Sequence, residues 1–473
     1  MCSGSPRCWL VHWNGDFDEV RFGCAASDVA GWPVGDRPCE PHGSCFPGDG
    51  HRGATGTVRG DPAETRSRDF DLGRARELIG ERVTAVPRLR QRLVRVPFGC
   101  GGPVWVDDAG FDVRNHVGAV ACPNPGSERE LLEIASSVIM TGLPRSAPPW
   151  SAVFVTGLAD GRVALVVVLH HVLADGIGGL TVLRNMVDQG AMAGQARFPR
   201  AGPTPGALAL DAWRCRLRAV RRTGLAWRQL RTSMAAGGGL RPPRAARCSL
   251  IQRTGPRRRL AVVRADLAAL KRSAHRYGAT TNDALLVAVA GALHRVLLAR
   301  GESIDAFAIA VPVSSRADGG PALGNMVSPM LVTVPGIGDV GQRLQHVAAA
   351  VRARKASAAG PPPIALLGWL FRPLAALGGY HWYMSHQHRL HTLVSHVRGP
   401  SVPFTLGGSP ISSAIPLGVG EAGNMTVAFE VLSQAGTMTI TAIADTDRFP
   451  DLDTLIAGLH AELDLIIQAA VPD

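Results

Sequence analysis

The stretch Val163-Ala164-Leu165-Val166-Val167-Val168-Leu169 contains no polar side chain. A β-branched run of this length suits a strand buried on both faces, not one that meets water at alternate positions. It runs straight into His170-His171-Val172-Leu173-Ala174-Asp175-Gly176. A strand so buried needs cover on both sides, and it delivers two imidazoles to its end, a common place for working side chains. A single histidine at a strand end is usually just a satisfied polar residue, and Asp-Gly usually just marks a turn. Four fixed positions, however, coincide by chance in a chain of this size with a probability of about one in a thousand.

The surrounding text alternates between helical and strand patterns. Helices are expected over 71–82, 128–141, 178–188, 267–277, 282–300, 342–357 and 452–470, with Leu72, Ala75, Leu78 and Ile79 forming one face of the first. Strands are expected over 93–96, 103–107, 261–265, 307–313, 330–334, 393–398, 425–432 and 437–444. Segments 152–158 and 162–169 read as a hairpin turning at Ala159-Asp160-Gly161. Strands interleaved with helices in two halves indicate a mixed α/β class. Residues 1–67 are rich in Gly, Pro, Cys and Arg and hold no sustained hydrophobic period, so regular structure is not expected there. The remainder divides into a lobe at 68–190, a connector at 191–256 and a second lobe at 257–473.

Charge is concentrated in the connector. Sixteen arginines and a single acid, Asp211, fall between Arg197 and Arg259, so this stretch alone exceeds the whole chain's net +12. Only Lys271 and Lys355 are lysines, a bias that points to GC-rich, actinobacterial coding. Trp213 and Trp227 lie among the arginines, but no nucleic-acid-reading module is recognisable, and a nucleic-acid partner is not expected. Arginines on amphipathic helices suit an anionic membrane surface as well as a solvated linker. Nine cysteines form no CxxC pair or zinc spacing, and the N-terminus has no apolar run of signal-peptide length. A cytoplasmic, peripherally membrane-associated protein is the expectation. The apolar stretch 364–379 is interrupted by Arg372-Pro373 and is too short to span a bilayer. His381, His386, His388 and His391 cluster locally, but with no cysteine or carboxylate beside them no metal site is assigned.

The His-His-x-x-x-Asp-Gly stretch resembles the signature of acyltransferases with the chloramphenicol-acetyltransferase-like fold. Other stretches resemble the bacterial wax ester synthase/diacylglycerol acyltransferase family in particular. Pro148-Pro149-Trp150 is similar to its Pro-Leu-Trp element, and Asn282-Asp283 before an apolar helix to its Asn-Asp motif. Val311-Pro312-Val313-Ser314-Ser315-Arg316 and Leu323-Gly324-Asn325-Met326 resemble two further elements. Ser395-His396-Val397-Arg398-Gly399-Pro400 resembles one that usually reads Ser-Asn-Val-Pro-Gly-Pro, with the Asn and first Pro replaced. The resemblance runs from about Arg68 to the C-terminus. The family's opening Leu-Ser-Pro-Leu-Asp-like stretch and first strand are not legible here.

The resemblance implies two chloramphenicol-acetyltransferase-like lobes with mixed sheets, joined by the Arg-rich helical connector, and an active-site channel between them. It implies His171 as the general base in acyl transfer from acyl-CoA to diacylglycerol or a long-chain alcohol. No cofactor is implied, since acyl-CoA is a co-substrate. His170 orients its neighbour or the substrate, or is a buried structural residue. Asp175 and Gly176 shape the loop, with Arg90 or Arg316 as the partner of Asp175. Asn282 and Asp283 are either substrate-site residues or simply helix caps. No Gly-x-Ser-x-Gly elbow occurs to support a serine hydrolase. Two other readings fit the same residues: a carrier-protein-dependent acyltransferase of the condensation-domain type, and a non-catalytic lipid- or membrane-binding relative.

Overall fold

The apolar run Val163–Leu169 is a strand with every residue buried, inside a six-stranded sheet. The computed structural model describes residues 7–13, 70–97, 100–144, 146–173, 176–188, 198–221, 244–314, 327–357, 379–419 and 423–469. In chain order the first half contributes β1 (Arg7–Trp13), α1 (Leu72–Thr84), a short 3-10 helix (Pro87–Arg90), β2 (Gln91–Val94), β3 (Val104–Asp107), β4 (Val117–Ala121), α2 (Glu128–Met140), β5 (Trp150–Thr156), β6 (Val163–Leu169), α3 (Gly176–Met186) and α4 (Pro205–Arg221). The second half contributes β7 (Arg258–Asp266), α5 (Leu267–Arg276), α6 (Thr281–Ala299), β8 (Ala306–Ser314), β9 (Val327–Pro335), α7 (Val340–Ser357), α8 (Gly379–Ser385), β10 (Thr392–Arg398), β11 (Thr405–Leu406), β12 (Ser409–Gly418), β13 (Val427–Gln434), β14 (Thr437–Asp445) and α9 (Leu452–Gln468).

One six-stranded sheet has the order β11-β12-β1-β6-β5-β4 and the other β7-β14-β13-β10-β8-β9, while β2 and β3 pair as a separate two-stranded sheet. Both six-stranded sheets are mixed: β4 runs parallel to β5, and β10 runs parallel to β13 and β8, amid otherwise antiparallel pairs. The α/β class with two mixed sheets agrees with the sequence reading.

Two features depart from that reading. Residues 7–13, within the stretch expected to lack regular structure, form β1, which lies between β12 and β6 with Leu10 opposite Val166 and Ile415. The aromatic and β-branched residues of Trp9-Leu10-Val11-His12-Trp13 suit a strand, but seven residues set among glycine, proline and arginine carry too little periodicity to stand out. The first lobe therefore has a strand beside β6 after all. Second, β11 and β12 come from the second half of the chain yet belong to the first sheet, and β12 also packs against β13 and β14. The two halves are thus interlocked, and the division at residue 257 is not a clean spatial cut.

From Ala284 to Leu293 helix α6 is apolar and buried all round, as suits a segment enclosed on every side. It packs against α5, α7 and α9 at the centre of the core of the second half. Among the described residues it is the one helix long and apolar enough to cross a membrane, and most of it is buried in the fold. Glu462 of α9 pairs with Arg343 of α7 at 2.8 Å and with Arg295 of α6 at 2.9 Å. Gly291 makes room for this cluster, because a Cβ there would stand 2.2 Å from Glu462 Oε2.

A second core joins the halves. Leu173, Leu180 and Leu183, from the turn after β6 and from α3, share one cluster with Val397, Phe404, Leu406 and Leu432. The C-terminal end of α3 is fastened too. Asp188 accepts from Arg82 Nη2 at 2.5 Å and from the N–H groups of Gly407 and Gly408 at 3.1 and 2.9 Å. Arg82 Nη1 donates to Met186 O at 2.6 Å.

Candidate active site

The chain leaves β6 in a tight turn. Leu173 N–H donates to His170 O at 2.8 Å, and Val172 N–H donates to His170 Nδ1 at 3.1 Å. A neutral His170 therefore carries its proton on Nε2, and its ring is held by its own turn. Leu173 is buried in the shared core, which anchors the far side of the turn. His171 lies between these two fixed points, partly exposed, with Nδ1 shielded from solvent.

The Pro148-Pro149-Trp150 element sits against the same strand end. His170 N–H donates to Pro149 O at 3.0 Å, and Trp150 stands opposite Leu169 in the β5–β6 ladder. Trp150 is fully buried, stacks on His116 with ring centroids 4.7 Å apart, and donates Nε1–H to Leu89 O at 2.7 Å. This indole fixes the β5 end against which the histidine turn is built. Trp150→Phe keeps an aromatic side chain but removes the buried donor and part of the packed indole, with an expected loss of about 3 kcal/mol. A denaturant titration against wild type measures it, and an unchanged midpoint would show that the indole and its bond to Leu89 carry no weight.

Gly176 begins α3, whereas Asp175 and Arg316 lie outside the described residues, as do most of 364–379 and the Leu323-Gly324-Asn325-Met326 element. Arg90 ends the 3-10 helix, donates to Thr84 O at 2.9 Å and lies over the Phe198 ring at 4.1 Å. Asp283 caps α6: Oδ2 accepts from Thr280 N–H at 2.7 Å and from Thr280 Oγ at 2.8 Å, and Thr280 caps the N–H of Asp283 in return. The helix-capping role read for Asp283 is thus realised. Its other oxygen, Oδ1, is buried without a hydrogen-bond partner among the described residues. Asn282 turns toward β10 and meets His396, with Oδ1 3.4 Å from Nδ1.

Residues 50–285 match the wax ester synthase/diacylglycerol acyltransferase catalytic domain, and residues 323–467 match the C-terminal domain of the same family. The chain belongs to this acyltransferase family. A putative diacylglycerol O-acyltransferase of Mycobacterium tuberculosis is 29% identical over 434 residues, spanning 85% of this chain and 84% of that protein. A probable diacylglycerol O-acyltransferase of the same organism is 28% identical over 405 residues, spanning 81% and 85%. Among solved structures, the wax ester synthase/diacylglycerol acyltransferase from Marinobacter aquaeolei VT8 has a TM-score of 0.62 at 19% identity and covers 98% of this chain and 95% of its own. The first condensation domain of the calcium-dependent antibiotic synthetase has a TM-score of 0.56 at 14% identity, covering 99% and 92%. These likenesses show the two-lobed chloramphenicol-acetyltransferase-like fold.

His396 is the position where this member of the family departs from the usual Asn. Its Nε2 lies 3.1 Å from Ser433 Oγ. Burial, with a smaller contribution from Arg398, lowers its pKa from 6.5 to about 4, so the ring is neutral at pH 7. The Asn282 carbonyl oxygen can only accept, which places the proton on Nδ1 and makes the Ser433 hydroxyl the donor to Nε2. Between about pH 6.5 and about pH 4 the unfolded chain binds the proton and the folded one does not. Stability therefore falls on acidification through that window, by about 3 kcal/mol from this residue when the interval is complete. His396→Asn is expected to remove that share of the acid loss, read by denaturant titrations at about pH 7 and about pH 4.5. An equal acid loss in the variant would contradict it. Sequence reasoning marked His396 only as a departure, because its partners come from α6 and β13, far off in the chain.

The histidine run is taken up elsewhere. His391 Nδ1 accepts from Ala308 N–H at 2.9 Å, so its Nε2–H donates to Ala246 O at 2.9 Å. His386 Nδ1 lies 2.8 Å from Trp382 O. Among the described residues, no three His, Cys, Asp or Glu side chains gather in a metal-holding group.

Proposed function

We propose that the chain esterifies a lipid hydroxyl with a long-chain acyl group from acyl-CoA, converting diacylglycerol to triacylglycerol or a long-chain alcohol to a wax ester. The observation that carries this reading is the fixed turn at the end of β6, where His170 is tied by its own backbone and the adjacent His171 is partly exposed. With Nδ1 shielded, Nε2 is the nitrogen left to meet a substrate. It takes the proton of the acceptor hydroxyl as that oxygen attacks the thioester carbonyl. The C–S bond then breaks, and the imidazolium returns the proton to the departing thiolate. The products are an ester and free CoA, with no acyl group held on the protein and no cofactor in the cycle.

The buried apolar cluster of Leu173, Val397 and Leu432 packs directly behind the histidine turn, and a site built against such a core suits fatty substrates and opposes thioester hydrolysis by water. The names of the mycobacterial relatives favour diacylglycerol as acceptor, and that of the Marinobacter enzyme adds long-chain alcohols. Both acceptors partition into lipid, so the reading places the protein in the cytoplasm at a membrane or lipid-droplet surface. It also treats 68–190 and 257–473 as the working lobes, 191–256 as the connector, and Asp175, Gly176 and Asn282 as supports of the site.

Thiol release from palmitoyl-CoA tests the reading, measured with diolein, with hexadecanol and with neither. Release that depends on an added alcohol and matches the ester formed is the expected outcome. Equal release without an alcohol would indicate a thioesterase, and transfer only from carrier-bound acyl groups would indicate a condensation-type enzyme.

A further inference from the structure

Helix α4 has two apolar faces. Leu208 and Ala212 are partly covered, and Ala212 Cβ comes within 3.5 Å of where a Cβ on Gly101 would stand, so this face rests on the segment between β2 and β3. Leu210, Trp213 and Leu217 are 47%, 58% and 40% exposed. At about 100° per residue these three fall within roughly 60° of one another, on the side away from Leu208 and Ala212. Single exposed apolar side chains need no explanation, but three in register on the outward side of one helix form a stripe. Arg214 and Arg216 are exposed and occupy its two borders. The stripe lies within the 197–259 stretch, where sixteen arginines face a single acid.

We infer that α4 lies flat on an anionic lipid surface, with Leu210, Trp213 and Leu217 at the boundary between headgroups and acyl chains and the bordering arginines among the phosphates. Charge selects this occupant. A second copy of the chain would bring an equally arginine-rich stretch against the first, whereas an anionic membrane answers both the stripe and its borders. The inference deepens the acyltransferase reading and rests on it for its purpose, since a helix held on a lipid surface brings the lobes to where their substrates dissolve.

Co-sedimentation of the full chain with phosphatidylglycerol vesicles, and with vesicles of phosphatidylcholine alone, tests this. Wild type is expected to pellet with the anionic vesicles and far less with the neutral ones. Replacing Leu210, Trp213 and Leu217 together by serine is expected to weaken that binding by on the order of tenfold or more. Arg214→Glu with Arg216→Glu is expected to abolish the preference for phosphatidylglycerol. Transfer from a short-chain acyl-CoA to a water-soluble alcohol should stay at the wild-type rate in both variants, which also confirms that they fold. The inference is overturned if wild type does not pellet, if the serine variant pellets like wild type, or if sedimentation velocity shows a wild-type dimer that the serine variant dissociates. Failure of wild type to transfer acyl groups to any acceptor would count against the acyltransferase reading alone and leave the vesicle result standing.

Discussion

His171→Ala lowers kcat/KM for acyl transfer by about a thousandfold, the size expected when a general base is removed and binding is retained. The variant should fold normally, because His171 is partly exposed and the turn around it is held by His170 and Leu173. The loss should fall on kcat, since the group removed acts on the proton in the transition state and not in holding the substrate. His170→Ala is the informative control. It removes the acceptor for Val172 N–H and loosens the turn without removing the base, so a smaller loss, about tenfold, is expected from misplacement. Equal losses in the two variants would mean that the histidines act as one unit.

Asp188→Asn is expected to cost about 4 kcal/mol of stability. Arg82 is completely buried, and burial lowers its pKa only to about 10, so it stays charged at neutral pH. Burial alone would raise the pKa of Asp188, but the hydrogen bonds it accepts from Gly408 N–H, Thr405 and Arg82 outweigh that and hold it below the usual carboxylate range. Asparagine keeps the shape and removes the charge, depriving a buried guanidinium of its hydrogen-bonded counter-charge, a change that typically costs a few kcal/mol. The damage should reach the site as well. The same carboxylate ties the end of α3, the helix that follows the histidine turn, to Gly407 and Gly408 at the crossover formed by β11 and β12. A lower denaturant midpoint, with transfer activity lost at a correspondingly lower temperature, is the expected pattern. An unshifted midpoint would show that the pair contributes nothing to holding the halves together.

Elements whose signal is local were legible in the sequence, and those made by distant pairing were not. β6, α6 and α9 carry long apolar or periodic runs and lie within a few residues of their expected bounds. β4 is short, contains Gly118 and buries only Val117, so no alternation marks it. β12 contains Pro410 and Pro416 and several serines, and its strand character depends on pairing with β1, some four hundred residues earlier in the chain. The candidate site divides the same way. The histidines and Pro148-Pro149-Trp150 could be read from sequence and meet at one strand end. His396, which bridges Asn282 and Ser433, gathers three elements whose proximity no local pattern encodes. Asp283 fitted two roles by sequence, and its geometry accounts for the capping one.

On the proposed mechanism, the imidazole of His171 moves an acyl chain from a thioester to an alcohol in one direct step. A single-turnover reaction with excess protein, radiolabelled palmitoyl-CoA and diolein addresses it most directly. Wild type should pass the label into neutral lipid with none retained on the protein, and His171→Ala should leave it in the thioester. Label reaching neutral lipid in the alanine variant at the wild-type rate would contradict the claim.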